Sequence, residues 1–172
     1  HAIRALEDLG YFCVDNLPVT LVSTLASLAS RAGSDLEKVA IIVDVREGTR
    51  LAEFPSVFRR VRRVRDLKPL LIYLDADDDT LVRRFSETRR PHPLAHDRPI
   101  LEGIRDERRL LRPIRRLADE IIDTSTFTVH ELRDTFLSMS RQSGRASRVQ
   151  ITFLGFGFKR GVPPESDLVF DV

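Results

Sequence analysis

Four aspartates have the type and spacing to do chemistry. Asp15, Asp44, Asp75 and Asp123 each lie at or just after the end of a short apolar run. If those runs are parallel strands, all four carboxylates fall on one rim, where open α/β sheets bind their ligands. The stretch Val43-Asp44-Val45-Arg46-Glu47 is the sharpest case. Asp44 there can hold a magnesium-bound water beside a nucleotide phosphate, and Arg46 can reach a phosphate. Asp15 is a candidate for orienting an acceptor or a water. Strand-end aspartates also cap helices, and that alternative stands beside both readings.

A second constellation is arginine-rich. Leu81 to Leu94 carries Arg83, Arg84, Arg89 and Arg90 and runs into Pro91-His92-Pro93. Like charges crowded at one helix end favour a bound anion, so the segment reads as a lid over phosphates, with Arg84, Arg89 and Arg90 as contacts and a hinge at the prolines. Phe58 to Arg65 is amphipathic, with Phe58, Val61 and Val64 inward and arginines outward; a solvated face explains it better than an RNA contact, since no aromatic is interleaved for stacking. The arginines between Arg105 and Arg116 are interspersed with acids and read as a salt-bridged face. His92 and His96 lie in a proline-broken loop without further metal ligands, and His130 reads as structural. Cys13 sits in an apolar run, as a structural thiol does.

These residues need elements to position them. Apolar periodicity predicts alternating helices and strands. Helices are expected from Ala2 to Leu9, ended by Gly10; after an Asn16 cap with Pro18 in the first turn, with Leu21, Val22, Leu25 and Leu28 inward; near Leu51 to Arg65; from Asp77 or Asp78 to Thr88; from about Leu101 to Leu117; and from Thr128 to about Ser140. Strands are expected at Tyr11–Asp15, Val39–Asp44, Leu70–Leu74 and Glu120–Asp123. The continuous apolar runs mark buried parallel strands covered by helices. The fold class is therefore α/β, a parallel sheet with flanking helices. Arg141 to Ser147 reads as a linker, and Val149 to Phe156 is β-rich, the start of a second β-rich α/β unit.

Composition sets the outer bounds. The chain has 172 residues, 42% apolar and 31% charged, with net charge +2. That is the balance of a globular domain, and no apolar run approaches the roughly 20 residues of a membrane-spanning helix. The first residues lack the apolar core of a secretory leader. A lone cysteine excludes an internal disulfide and agrees with a reducing, cytoplasmic setting. Lysine occurs only at Lys38, Lys68 and Lys159, so the positive charge is nearly all arginine, the better bidentate partner for phosphate.

Taken in blocks, the chain resembles the RapZ/YvcJ family of P-loop proteins. The blocks are Arg4 to Pro18, Asp44-Val45-Arg46, Tyr73 to Ala76, Arg84 to Leu94, Ile122 to Ser125, Phe156 to Pro163 and Phe170-Asp171-Val172. The resemblance implies a P-loop NTPase-like domain over 1–146 and the beginning of a C-terminal domain over 147–172. It implies ATP or GTP as ligand, with Mg2+ and weak hydrolysis, and Asp44, Val45, Arg46 and Glu47 as the second nucleotide-contact segment. Some members act as adapters that present small RNA to a ribonuclease, so RNA or a regulatory protein enters as a candidate partner; a small-molecule phosphotransferase is a third reading. A homo-oligomer through the C-terminal domain is a further expectation. A P-loop requires G-x-x-x-x-G-K-[ST] between the first strand and first helix. The chain opens on a helix without it, so the natural protein is expected to be longer at both ends, with a further strand placed centrally in the sheet.

Overall fold

The computed structural model describes residues 2–31, 36–88, 92–142 and 149–156. In chain order the elements are α1 (Ala2–Glu7), β1 (Phe12–Val14), α2 (Val19–Ala29), β2 (Lys38–Val43), a 3-10 segment (Val45–Glu53) and α3 (Phe54–Val61). There follow β3 (Leu67–Asp75), α4 (Asp78–Thr88), α5 (Ile100–Arg115), β4 (Glu120–Asp123), α6 (Val129–Gln142) and β5 (Val149–Phe156).

The five strands form one parallel sheet in the order β1-β2-β5-β3-β4. Parallel strands bury both faces, and β2 shows why its sequence is continuously apolar. Val39, Ile41 and Val43 face one core while Ala40 and Ile42 face the other. The first core is closed by α2, α3 and α5 through Val22, Phe54, Phe58 and Leu111. The second is closed by α1 and α6 through Leu6, Leu132 and Phe136. The α/β class and the parallel sheet with flanking helices are as the apolar pattern predicts.

Several local expectations change. Leu21 and Leu28 were expected inward, yet they are 48% and 43% exposed. The buried face of α2 runs instead through Val19, Val22, Ala26 and Ala29, whose small side chains let the helix lie close to the sheet. Asn16 does not cap α2; it sits in the left-handed region at φ 53°, and Pro18 occupies the N-cap position. One helix expected over 51–65 is a 3-10 segment followed by α3. Gly48, at φ 58° and ψ −131°, breaks the helical path, and Pro55 in the first turn of α3 starts it again. Gly10 ends α1 at φ 79°, as expected.

The largest difference is β5. The sequence assigns Val149–Phe156 to the beginning of a following domain, whereas here it lies between β2 and β3 and pairs with both. A parallel sheet lacking that strand would leave two strand edges open, and backbone groups on buried edges need partners.

Candidate functional site

All four strand-end aspartates reach the same rim. Asp15 follows β1, Asp44 follows β2, and Asp75 and Asp123 end β3 and β4 in register with each other. Each already has partners, and those partners divide the rim in two.

The first half is built on β1 and β2. Asp44 is 1% exposed and extended (φ −141°), so its carboxylate folds back over the 3-10 segment that follows. Arg46 donates its backbone N–H to Asp44 Oδ1 at 2.8 Å. Its Nε–H lies 3.0 Å from Oδ1 and 2.8 Å from Oδ2. Its Nη2 spans Asp44 Oδ2 at 2.7 Å and Asp15 Oδ1 at 3.0 Å. The guanidinium therefore bridges two carboxylates from adjacent strands and keeps about a third of its side chain in solvent, 34%. Glu47 turns the other way and accepts the N–H of Val19 at 3.1 Å, supplying the N-terminal cap that Asn16 does not. Val45 is buried in the core beneath them. The segment Asp44 to Glu47 and Asp15 thus form one cluster, and Asp44 serves as the cap of the 3-10 segment as well.

The second half is built on β3 and β4. Arg108, on α5, donates to Asp75 Oδ1 at 2.7 Å and to Asp78 Oδ1, and its third acceptor is the Ala76 carbonyl. Arg115 adds a contact to Asp75 Oδ2 at 3.3 Å. Asp123 accepts the backbone N–H and hydroxyl of Ser125. Arg84 belongs here: it donates to the Thr124 hydroxyl at 3.2 Å and to the Thr124 carbonyl at 2.6 Å. It ties α4 to the end of β4 and is not gathered with Asp44. Arg89 and Arg90 lie outside the described residues.

Between the halves sits a buried pair that no sequence period announces. His92 is fully buried, and its Nε2–H donates to Glu107 Oε2 at 2.9 Å. The tautomer follows from the other ring nitrogen, since Nδ1 accepts the N–H of Leu94 at 3.1 Å. Phe85 lies over the ring at 4.7 Å, and Gly103 of α5 makes room for it. Burial pushes the Glu107 carboxyl above its ordinary range; the His92 hydrogen bond opposes that shift and the nearby Asp44 charge adds to it. Glu107 Oε1 is buried without a hydrogen bond. Of the expected hinge, Pro91 lies outside the described residues, and His92 is anchored by its bond to Glu107. Arg98 fastens the same loop to Asp106 at 3.0 Å.

Carboxylate oxygens suit a hard cation such as Mg2+, which takes one or two protein carboxylates alongside ligand phosphates. Asp15 is half exposed, whereas Asp44 is buried with both carboxylate oxygens accepting from Arg46. Among the described residues no three His, Cys, Asp or Glu side chains gather into an all-protein metal cage. His92 is committed to Glu107, and His130 is exposed on α6.

Comparison with known proteins gives this arrangement a lineage. Residues 1–143 match the family described as RapZ-like N-terminal domain. A protein of Solibacter usitatus is 49% identical over 170 residues, covering 99% of this chain and 52% of its own length. One of Myxococcus xanthus is 49% identical over 172 residues, covering 99% of this chain and 58% of its own. One of Acidobacterium capsulatum is 46% identical over 171 residues, covering 99% and 55%. All three carry the name nucleotide-binding protein. The chain spans little more than half the length of these relatives. A family match over 143 residues, on a parallel α/β sheet whose strand-end aspartates share one rim, shows that the chain belongs to the RapZ-like N-terminal domain family.

Proposed function

We propose that this chain is the greater part of a nucleoside-triphosphate-binding domain with weak NTPase activity and a regulatory role in a longer protein. The observation that carries the reading is the Asp15–Arg46–Asp44 cluster at the carboxyl ends of two adjacent parallel strands. Relatives named as nucleotide-binding proteins support the ligand class. The ligand is ATP or GTP. Asp15, Asp44 and Glu47 outnumber the single cation Arg46, so a phosphate approaching them needs a counter-cation. Mg2+ supplies that charge when bound, and Asp44 and Asp15 are the residues to hold it. Arg46 offers the exposed part of its guanidinium to a phosphate. Arg89 and Arg90 enter from sequence, as arginines that close on the γ-phosphate. In this reading residues 1–146, together with β5, which shares their sheet, are the nucleotide domain, and the residues after β5 open the C-terminal part, through which a homo-oligomer forms. The setting is the cytoplasm, and among the described residues no helix is long and apolar enough to cross a membrane.

The experiment is calorimetric titration of the whole protein with ATP, ADP, GTP and GDP in Mg2+, together with hydrolysis rates. Asp44→Asn should lower hydrolysis on the order of tenfold to a thousandfold with the circular dichroism unchanged. Arg89→Ala with Arg90→Ala should weaken triphosphate binding more than diphosphate binding. No binding of either nucleotide overturns the reading, and unchanged turnover in Asp44→Asn reduces that residue to a cap. ATP consumed only when an acceptor is added favours a phosphotransferase instead. An RNA-binding adapter draws on the arginine surplus of the chain, and an RNA affinity falling steeply with salt is its mark.

A further inference from the structure

Helices α2, α3 and α5 form one layer over the first core, and its outer surface has an unusual composition. Arg59, Arg60 and Arg63 at the end of α3 are exposed, as are Arg112 and Arg116 at the end of α5. None of these five has a carboxylate partner among the described residues, whereas their neighbour Arg62 is held by Asp119 and stacked on Phe58 at 4.7 Å. The spacing 112 to 116 sets like charges one helical turn apart, which costs a few tenths of a kcal/mol in isolation, and Arg63 follows α3 in the turn beyond its C-cap. The C-terminal dipoles of α3 and α5 offset about half a charge apiece, so a surplus remains. Three of the six large apolar side chains exposed among the described residues lie on the same layer: Leu21 and Leu28 on α2 and Leu110 on α5.

We propose that this α2–α3–α5 surface docks an acidic protein surface that also carries apolar side chains. Charge complementarity selects an acidic occupant. The leucines select protein over a phosphate backbone, because exposed leucine gains by meeting apolar groups and gains nothing from phosphate. Arginine without lysine around apolar anchors is the composition of protein interfaces. Asp66 and Asp119, set among the arginines, would repel a continuous run of phosphates but are tolerated in a mixed interface. The surface lies on helices rather than on the aspartate rim, so it stands independently of the nucleotide reading.

The test uses the whole protein and a defined probe: a designed amphipathic helix with leucine along one face and glutamate on both flanks. Its glutamine counterpart and a 16-base-pair RNA duplex (the span over which duplex-RNA modules read shape) serve as comparisons. Binding is followed by fluorescence anisotropy at low and at physiological salt. The acidic helix should bind more tightly than either comparison. Arg59→Glu with Arg63→Glu should weaken it by at least about tenfold, and Leu28→Ser with Leu110→Ser by about three- to tenfold, with thermal unfolding unchanged in both. Three results overturn the proposal: no binding of the acidic helix, duplex RNA bound more tightly with the leucine changes neutral, or self-association of the wild type that Arg59→Glu with Arg63→Glu abolishes. The second assigns the face to nucleic acid and the third to another copy of the chain.

Discussion

Gly103→Ala should destabilise the protein, although alanine is the better helix former. Gly103 lies inside α5, where alanine gains about 1 kcal/mol over glycine by intrinsic propensity. A Cβ at that position, however, meets His92 Nδ1 at 2.6 Å, Ala95 Cβ at 2.7 Å and His92 Cγ at 2.8 Å. The histidine cannot yield freely, since it is fully buried beneath Phe85 and bonded to Glu107 and Leu94. Inserting a methyl group into a packed core costs roughly 1–3 kcal/mol. Displacing the ring would also leave both Glu107 oxygens unpartnered, at roughly a further 1–3 kcal/mol. Against the helix gain, the net loss is about 1–5 kcal/mol. In a domain of this size that lowers Tm by roughly 2–20 °C. Thermal unfolding of wild type and variant, followed by circular dichroism at 222 nm and by calorimetry, measures it. An equal or higher Tm for Gly103→Ala would refute the close approach of α5 to His92, and with it the rigid anchorage of the 92–98 loop.

Glu107→Gln should change the pH dependence of stability. The folded-state pKa of Glu107 is raised above its ordinary value of 4.5, so its contribution is fully present below that pH and lost as pH rises through the folded value. The glutamine variant should therefore gain on the wild type as the pH is raised from about 4.5 towards neutrality, and a pH-independent difference between their denaturation midpoints contradicts the shift. Cys13, pushed up to about 11 by burial and donating to the Ile3 carbonyl, should react with iodoacetamide at pH 8 far more slowly than free cysteine. Rapid alkylation of the folded protein would show the thiol to be exposed. Glu47→Ala removes the cap of α2 and should cost about 0.5–2 kcal/mol in denaturant unfolding, with a loss below 0.2 kcal/mol counting against that role.

Local pattern carried much of this fold. Val39 to Val43 and Leu70 to Leu74 are apolar at every position, which is how a strand reads when helices cover both faces. Gly10 and the proline-containing stretch 92–99 before α5 punctuate the chain as backbone sterics require. The rim of aspartates was legible for the same reason, since strand ends follow from apolar runs and parallel strands put their carboxyl ends on one side. The family resemblance came from contiguous blocks, five of which lie within the 143 matched residues. Leu21 and Leu28 show where pattern runs out. A leucine-rich helix offers more than one apolar face, and the one that seats is chosen by how closely Ala26 and Ala29 let it approach the sheet.

What the tertiary structure alone decided is partnership across distance. Asp15 and Arg46 lie 31 residues apart, Arg84 and Thr124 lie 40 apart, and neither separation leaves a local trace. The arginines of α4 and α5 look alike in sequence, yet Arg108 locks Asp75, Arg84 locks Thr124, and Arg112 faces solvent. His92 and Glu107 are 15 residues apart across a loop and a helix, and their pairing depends on Gly103 lacking a side chain. The place of β5 is of the same kind. Its residues announce a strand, but the position between β2 and β3 is assigned by the backbone groups that two neighbouring edges leave to be satisfied. Periodicity records which way a side chain points within its own element. Which atom it meets is set by the packing of elements far apart in the chain.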